Sequence, residues 1–142
     1  DGAAEAHAVL PEIKASGYPV VVHPTMARPG GDMENMTLEM AAKLKEAGIP
    51  FALQSGFEGY VPKTRVVLFE AGLAAAHGLG KDNALEALTI GAARLLGIDD
   101  RVGSLAPGKH ADIALYDGDP LEYTTHCTAV IGQGRVLFEG AQ

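Results

Sequence analysis

The sequence predicts an α/β fold, and three observations carry that prediction. Helical periodicity and short β-branched runs alternate up to about Ile98, which calls for parallel strands joined by right-handed crossovers. From there to the end, short apolar runs are punctuated by Gly, Pro and Asp, the pattern of turn-linked strands. The 142 residues suffice for one ordinary domain with a real core. The composition shift divides the chain into residues 1–98 and 99–142.

Residues 3–15 read as a helix, with Ala6, Val9, Leu10 and Ile13 on one stripe and Gly17 as the stop. Tyr18 to Pro24 holds Val20-Val21-Val22 between prolines, a short buried strand, and a Gly-, Pro- and Met-rich loop follows over 25–35. A second helix is expected over 37–47, with Thr37 as N-cap, Met40, Ala41, Leu44 and Ala47 inward, and Gly48 at the exit. Ile49 to Gln54 is the second strand, and 56–62 the loop after it. Helices are then expected over 64–77, ended by Gly78, and over 83–96, closed by Gly97. In the latter, Asn83 and Glu86 have capping-box spacing, and Leu85, Leu88, Ala92 and Leu95 form the inward stripe.

Beyond Gly97, Val102–Leu105 and Ala111–Tyr116 read as a hairpin about Pro107-Gly108, and Asp117-Gly118-Asp119-Pro120 stops its second strand. Bulk properties narrow the function further. A formal charge of −7 argues against a nucleic-acid or anionic-membrane partner. One cysteine, Cys127, allows no internal disulfide and no cysteine-rich zinc site. No apolar run approaches the ~18 residues of a membrane-spanning helix. On these features alone, a free-standing small α/β domain remains open.

Gly103-Ser104-Leu105-Ala106-Pro107-Gly108-Lys109-His110-Ala111-Asp112-Ile113 is more specific than a hairpin. It resembles the closing segment of the amidohydrolase superfamily, metal-dependent hydrolases related to imidazolonepropionase, dihydroorotase and prolidase-like enzymes. Asn83 to Asp100 resembles the last barrel helix of that family, and Ala129 to Gly140 its final strand pair. The resemblance implies a partial TIM-type (β/α) barrel, its last two strand–helix units lying in 1–98. It also implies that 99–142 are the C-terminal strands of a flanking β-sandwich, the composite domain. A complete barrel takes roughly 250 residues, so the chain is expected to be the C-terminal part of a longer protein. The expected partners are then the missing N-terminal part of that protein, or a second copy meeting the exposed sheet edge.

The resemblance also implies where chemistry sits, at the C-terminal ends of the barrel strands. There a zinc or other divalent ion lowers the pKa of a bound water, and an eighth-strand aspartate shuttles the proton to the leaving nitrogen. The expected substrate is a small molecule with an amide, lactam or imidazolone-type C–N bond. Most metal ligands would lie outside this chain, and no metal is expected in the chain alone. At the eighth-strand position the sequence reads Gln54-Ser55-Gly56 where the family has Asp. Neither the amide nor the hydroxyl shuttles a proton as a carboxylate does, though Glu58 could stand in if its loop folds back.

The candidate catalytic residues are thus His23, which ends the first strand, with Ser55 and Glu58. His23 also has a plain structural reading, as a strand-end side chain bonded to backbone. Thr25, Arg28 and Gln54 are the candidate substrate-binding residues, Arg28 because a guanidinium matches a carboxylate bidentately. His7 and His77 are expected to be structural, His110 sits at a variable position of the motif, and His126-Cys127 lacks zinc spacing. Asp112 is expected to be a hydrogen-bonding structural residue. A second reading follows from the missing aspartate: a non-catalytic scaffold or binding module.

Overall fold

The computed structural model describes residues 2–22, 30–55, 57–58, 61–62 and 66–140, with 57–58 and 61–62 described as backbone. Val20–Val22 (β1) and Phe51–Leu53 (β2) form a parallel pair, with Val20 opposite Phe51 and Val22 opposite Leu53. Ala52 and Leu53 are both buried although neighbours in a strand point to opposite sides, so both faces are covered. Gly2 makes a further parallel bridge to Val22, extending the parallel arrangement past β1. Two-residue strands Phe57–Glu58 (β3) and Val61–Pro62 (β4) pair antiparallel in the loop after β2.

Helices Leu10–Ser16 (α1), Met40–Ala47 (α2), Val67–Ala74 (α3), Lys81–Leu88 (α4) and Ile90–Leu96 (α5) pack around the parallel pair. The stops expected at Gly17, Gly48 and Gly97 are where α1, α2 and α5 end, each in the left-handed conformation that spares a glycine any Cβ clash. The core is built from small residues: among the described residues, eight of the fifteen buried apolar ones are alanines, including Ala71, Ala74, Ala84 and Ala87. Helices therefore approach closely, and Leu44 is the large side chain that fills the centre.

Several helix details differ from the sequence expectation. The first helix begins as a 3-10 turn, Ala6–Val9, becomes α only at Leu10, and leaves Val9 exposed. Thr37 does not cap α2, whose N-cap is Glu39; its Oγ1 accepts the Glu39 N–H at 3.2 Å in a tighter turn. The third helix ends in a wide π-helical turn, Ala75–Leu79, with His77 and Gly78 out of helical geometry. Asn83 and Glu86 form no capping box. Gly80 is the N-cap, and Asn83 Nδ2 donates back to the Leu79 carbonyl at 2.9 Å.

The helix expected over 83–96 is broken at Thr89, at φ −117° and ψ −102°. Its inward side consists of Ala84, Ala87 and Ala93, while Leu85, Leu88 and Ala92 are half-buried over an apolar groove facing the antiparallel sheet. That groove, about 770 Å³, separates the helices from the C-terminal strands.

Those strands are Ile113–Tyr116 (β5), Cys127–Gly132 (β6) and Arg135–Glu139 (β7), antiparallel in that order. The expected hairpin partner was wrong: Val102–Leu105 is not a strand, and Ile113–Tyr116 pairs with β6 instead. Residues 101–110 form a closed loop, shut by the His110 N–H donating to the Arg101 carbonyl at 2.8 Å. Lys109 Nζ fills it, reaching Ser104 Oγ at 2.7 Å and the Val102 carbonyl at 3.3 Å. A lysine satisfying carbonyl and hydroxyl oxygens inside a loop outweighs the weak strand propensity of four residues.

The remaining motif residues tie the halves together. Gly103 sits at φ +88° against α5, where an added Cβ would lie 2.7 Å from Ala93 Cβ and 3.1 Å from the Thr89 carbonyl. Asp112 is structural as expected, its Oδ1 accepting the N–H of Gln133 at 2.7 Å. That bond holds Gln133 at φ +48° in the Gln133-Gly134 turn between β6 and β7. Asp117 Oδ1 accepts the His126 N–H, which holds its carboxyl below the usual carboxylate range. Asp119 and Glu122 both accept from Lys81 Nζ, at 2.7 and 2.6 Å, fastening this loop to the start of α4. The Lys81 hydrogen bond is likewise the main reason that the Asp119 carboxyl is held low.

The loop pinned by Gly103 yields a stability prediction. Gly103→Ala combines a strained φ with a backbone clash and is expected to cost about 2–4 kcal/mol in urea unfolding. Gly108, at φ +89° but with nothing within 4 Å of an added Cβ, serves as control; Gly108→Ala should cost only about 1 kcal/mol.

Candidate active site at the strand ends

Parallel pairing puts the C-terminal ends of β1 and β2 at the same end of the sheet, and Gln54 and Ser55 follow β2 there. Leu53 is buried, and the chain leaves it through Gln54 and Ser55, both half-buried. The Gln54 N–H donates to the Val22 carbonyl at 3.3 Å, continuing the parallel ladder by one bond. Its side-chain Nε2 is buried and has no hydrogen-bond partner among the described residues. An amide buried without a partner is costly, so Gln54 is the most conspicuous polar group at this mouth.

Glu58 lies on β3, opposite Val61, so the loop after Gln54-Ser55 does turn back on itself as a small hairpin. His23, Thr25 and Arg28 lie outside the described residues. The structure thus brings the backbones of Gln54, Ser55 and Glu58 into one segment at the strand ends. It assigns no contact among the six candidates beyond that.

Two carboxylates elsewhere in the parallel half were not anticipated. Glu5 Oε1 accepts both the backbone N–H and the side-chain Nδ2 of Asn35, each at 3.0 Å, clamping the end of the loop after β1. Glu70, on α3, is 1 % exposed inside an otherwise apolar helix. A single acid in Val67-Leu68-Phe69-Glu70-Ala71, on the same stripe as Ala74, was the available sequence signal for it. Glu5 gave none, because its partner is thirty residues away.

A metal was tested against the donors at hand. Among the described residues, no three His, Cys, Asp or Glu side chains stand close enough to hold an ion. At the strand ends the described side chains, Gln54 and Ser55, supply only neutral amide and hydroxyl groups. Zinc sites are built from thiolate, imidazole and carboxylate, so these residues do not fit one.

With this geometry in place, the comparisons with known proteins are decisive. Residues 64–138, more than half of the chain, match the amidohydrolase family. The chain belongs to that family. The imidazolonepropionase of Shewanella baltica (strain OS185) is 40% identical over 75 residues, 52% of this chain and 18% of the relative. The amidohydrolase from Thermotoga maritima MSB8 superposes with a TM-score of 0.88 at 28% identity, covering 96% of this chain and 36% of that one. A zinc-bound adenosine deaminase from Xanthomonas campestris shares the fold, with a TM-score of 0.67 at 23% identity over 91% of this chain and 34% of that one. The chain therefore spans well under half the length of these amidohydrolase relatives.

The unpartnered amide gives the prediction for this site. Gln54→Leu keeps the backbone bond to Val22 and removes the buried Nε2. Stability in urea should stay level or rise by about 1 kcal/mol. A loss of more than about 1 kcal/mol would mean that the amide is satisfied within the fold.

Proposed function

We propose that this chain is the closing portion of an amidohydrolase that cleaves non-peptide or peptide-like C–N bonds of the amide, lactam or imidazolone type. On this reading β1 and β2 are the last two strands of a (β/α) barrel within residues 1–98, and 99–142 are the C-terminal strands of the flanking sandwich. One observation carries it. The chain superposes over 96% of its length on the Thermotoga maritima amidohydrolase, which supports reading its two halves as parts of one such enzyme. The remainder of the longer protein, or a second copy, covers the open sheet edges. A nucleic acid or a membrane surface is not among the partners proposed.

Within such an enzyme, this chain's share of the site is its strand-end mouth. Gln54 directs its buried amide to an acceptor on the substrate, and Thr25 and Arg28 hold the substrate's polar ends. His23, Ser55 and Glu58 are the groups available to accept or relay a proton. A divalent metal belongs to the longer protein, held by ligands outside the described residues. The chain alone is then inactive.

A second reading has its own support. The strand-end position carries Gln54-Ser55-Gly56, with no carboxylate among the three. A member lacking that acid would use the mouth to bind rather than to hydrolyse.

Metal loading separates the readings from a self-sufficient enzyme. After equilibration with zinc and dialysis, the 142-residue chain should retain far less than one zinc per chain by elemental analysis. It should also show no hydrolysis of N-acyl amino acids or hydantoin-type lactams above buffer. Stoichiometric zinc with turnover would contradict the proposal, and in the longer protein, turnover abolished by Glu58→Gln would favour the enzyme over the binding module.

A further inference from the structure

The break between α4 and α5 builds a second site at the other end of the strands. In an unbroken helix, residues 86 and 94 would stand about 12 Å apart along the axis. Here the Thr89 N–H turns back to the Glu86 carbonyl at 3.1 Å, and α5 swings so that Arg94 Nη1 meets Glu86 Oε1 at 3.3 Å. Lys45, in the last turn of α2, meets the other oxygen, Glu86 Oε2, at 3.4 Å. Beside this triad lies a cavity of about 620 Å³ at the N-terminal ends of β1 and β2, with Pro19, Ile49, Pro50, Phe51 and Leu95 on its walls.

Two features mark the cavity as a place for a ligand. Its volume falls within the ~300–1,000 Å³ of small-molecule pockets. Gly91 on its lining lets α5 pack against the backbone of Glu86 and Phe51, since an added Cβ would stand 2.8 Å from the Glu86 carbonyl. The charge is lopsided for a chain with a net −7. Lys45 and Arg94 share one carboxylate, and Lys14 Nζ stands 3.7 Å from where a Cβ on Gly48, at the cavity rim, would lie. Both contacts to Glu86 exceed the ~2.7–2.9 Å of a tight charge-assisted bond. Among the described residues, neither Lys45 nor Arg94 has a second acceptor.

We propose that this cavity binds a small molecule bearing one carboxylate on a flat apolar body. The carboxylate engages the Arg94 guanidinium and the Lys45 ammonium, whose planar fork and point charge suit it, and the body lies on Pro50 and Phe51. The site is at the opposite end of β1 and β2 from Gln54 and Ser55, and it does not rest on the proposed hydrolase reading.

Benzoate is the probe, titrated into the isotopically labelled 142-residue chain and followed by amide shifts. Saturable shifts are expected at Gly48, Phe51, Gly91 and Arg94. Arg94→Gln should weaken binding about tenfold, the equilibrium share of one charge-assisted hydrogen bond. Glu86→Gln, which removes the competing carboxylate, should tighten it, and a folding defect would not produce that opposite sign. The proposal is overturned if these amides do not shift, or if Arg94→Gln binds unchanged. It is equally overturned if inorganic phosphate or benzyl alcohol binds as well as benzoate, since then charge or apolar surface alone would suffice.

Discussion

The pairing of Val20–Val22 with Phe51–Leu53 is the constraint from which the rest of the structure follows. Parallel neighbours cannot be joined by a tight turn, so the chain must cross over, and α2 is that crossover. Three residues per strand make few ladder bonds, so the pair depends on its cover: Met40, Ala41 and Leu44 from α2, and Ala71, Ala74, Ala84 and Ala87 from α3 and α4. Small side chains permit close helix approach, but each buries little area. Stability is therefore spread over many contacts, and among the described residues Leu44 is the one large aliphatic side chain with no exposure.

Parallel pairing also makes the two ends of the sheet chemically different. At the C-terminal ends lie Gln54, Ser55 and the β3–β4 hairpin; among the described residues the side chains there are neutral, and the Gln54 amide has no partner. At the N-terminal ends, cations from α2 and α5, Lys45 and Arg94, meet at Glu86. The signature loop joins this half to the antiparallel sheet by contact rather than by strand pairing, through Gly103 on α5 and Lys81 on the 117–122 loop.

Much of this was legible in the residues. Val20-Val21-Val22 and the stops at Gly17, Gly48 and Gly97 follow from β-branching and turn chemistry, which are local. What was not legible depends on distant partners. Val102–Leu105 has strand-like residues, but Lys109 closes it into a loop. Asn83 and Glu86 have capping spacing, but Gly80 starts the helix earlier and Thr89 breaks it, which frees Glu86 for Lys45 and Arg94. The strand ends were singled out by the family resemblance, and Gln54 and Ser55 follow β2 directly in the chain. The Glu5–Asn35 clamp was missed because nothing local marks a carboxylate whose partner lies on another loop.

The proposed barrel reading requires β1 and β2 to run in the same direction, which nuclear Overhauser contacts between backbone protons report directly. A network placing Val21 opposite Ala52, with both strands running the same way, is the expected result. Antiparallel contacts between these segments, or none at all, would contradict it, because neighbouring strands of a (β/α) barrel run parallel.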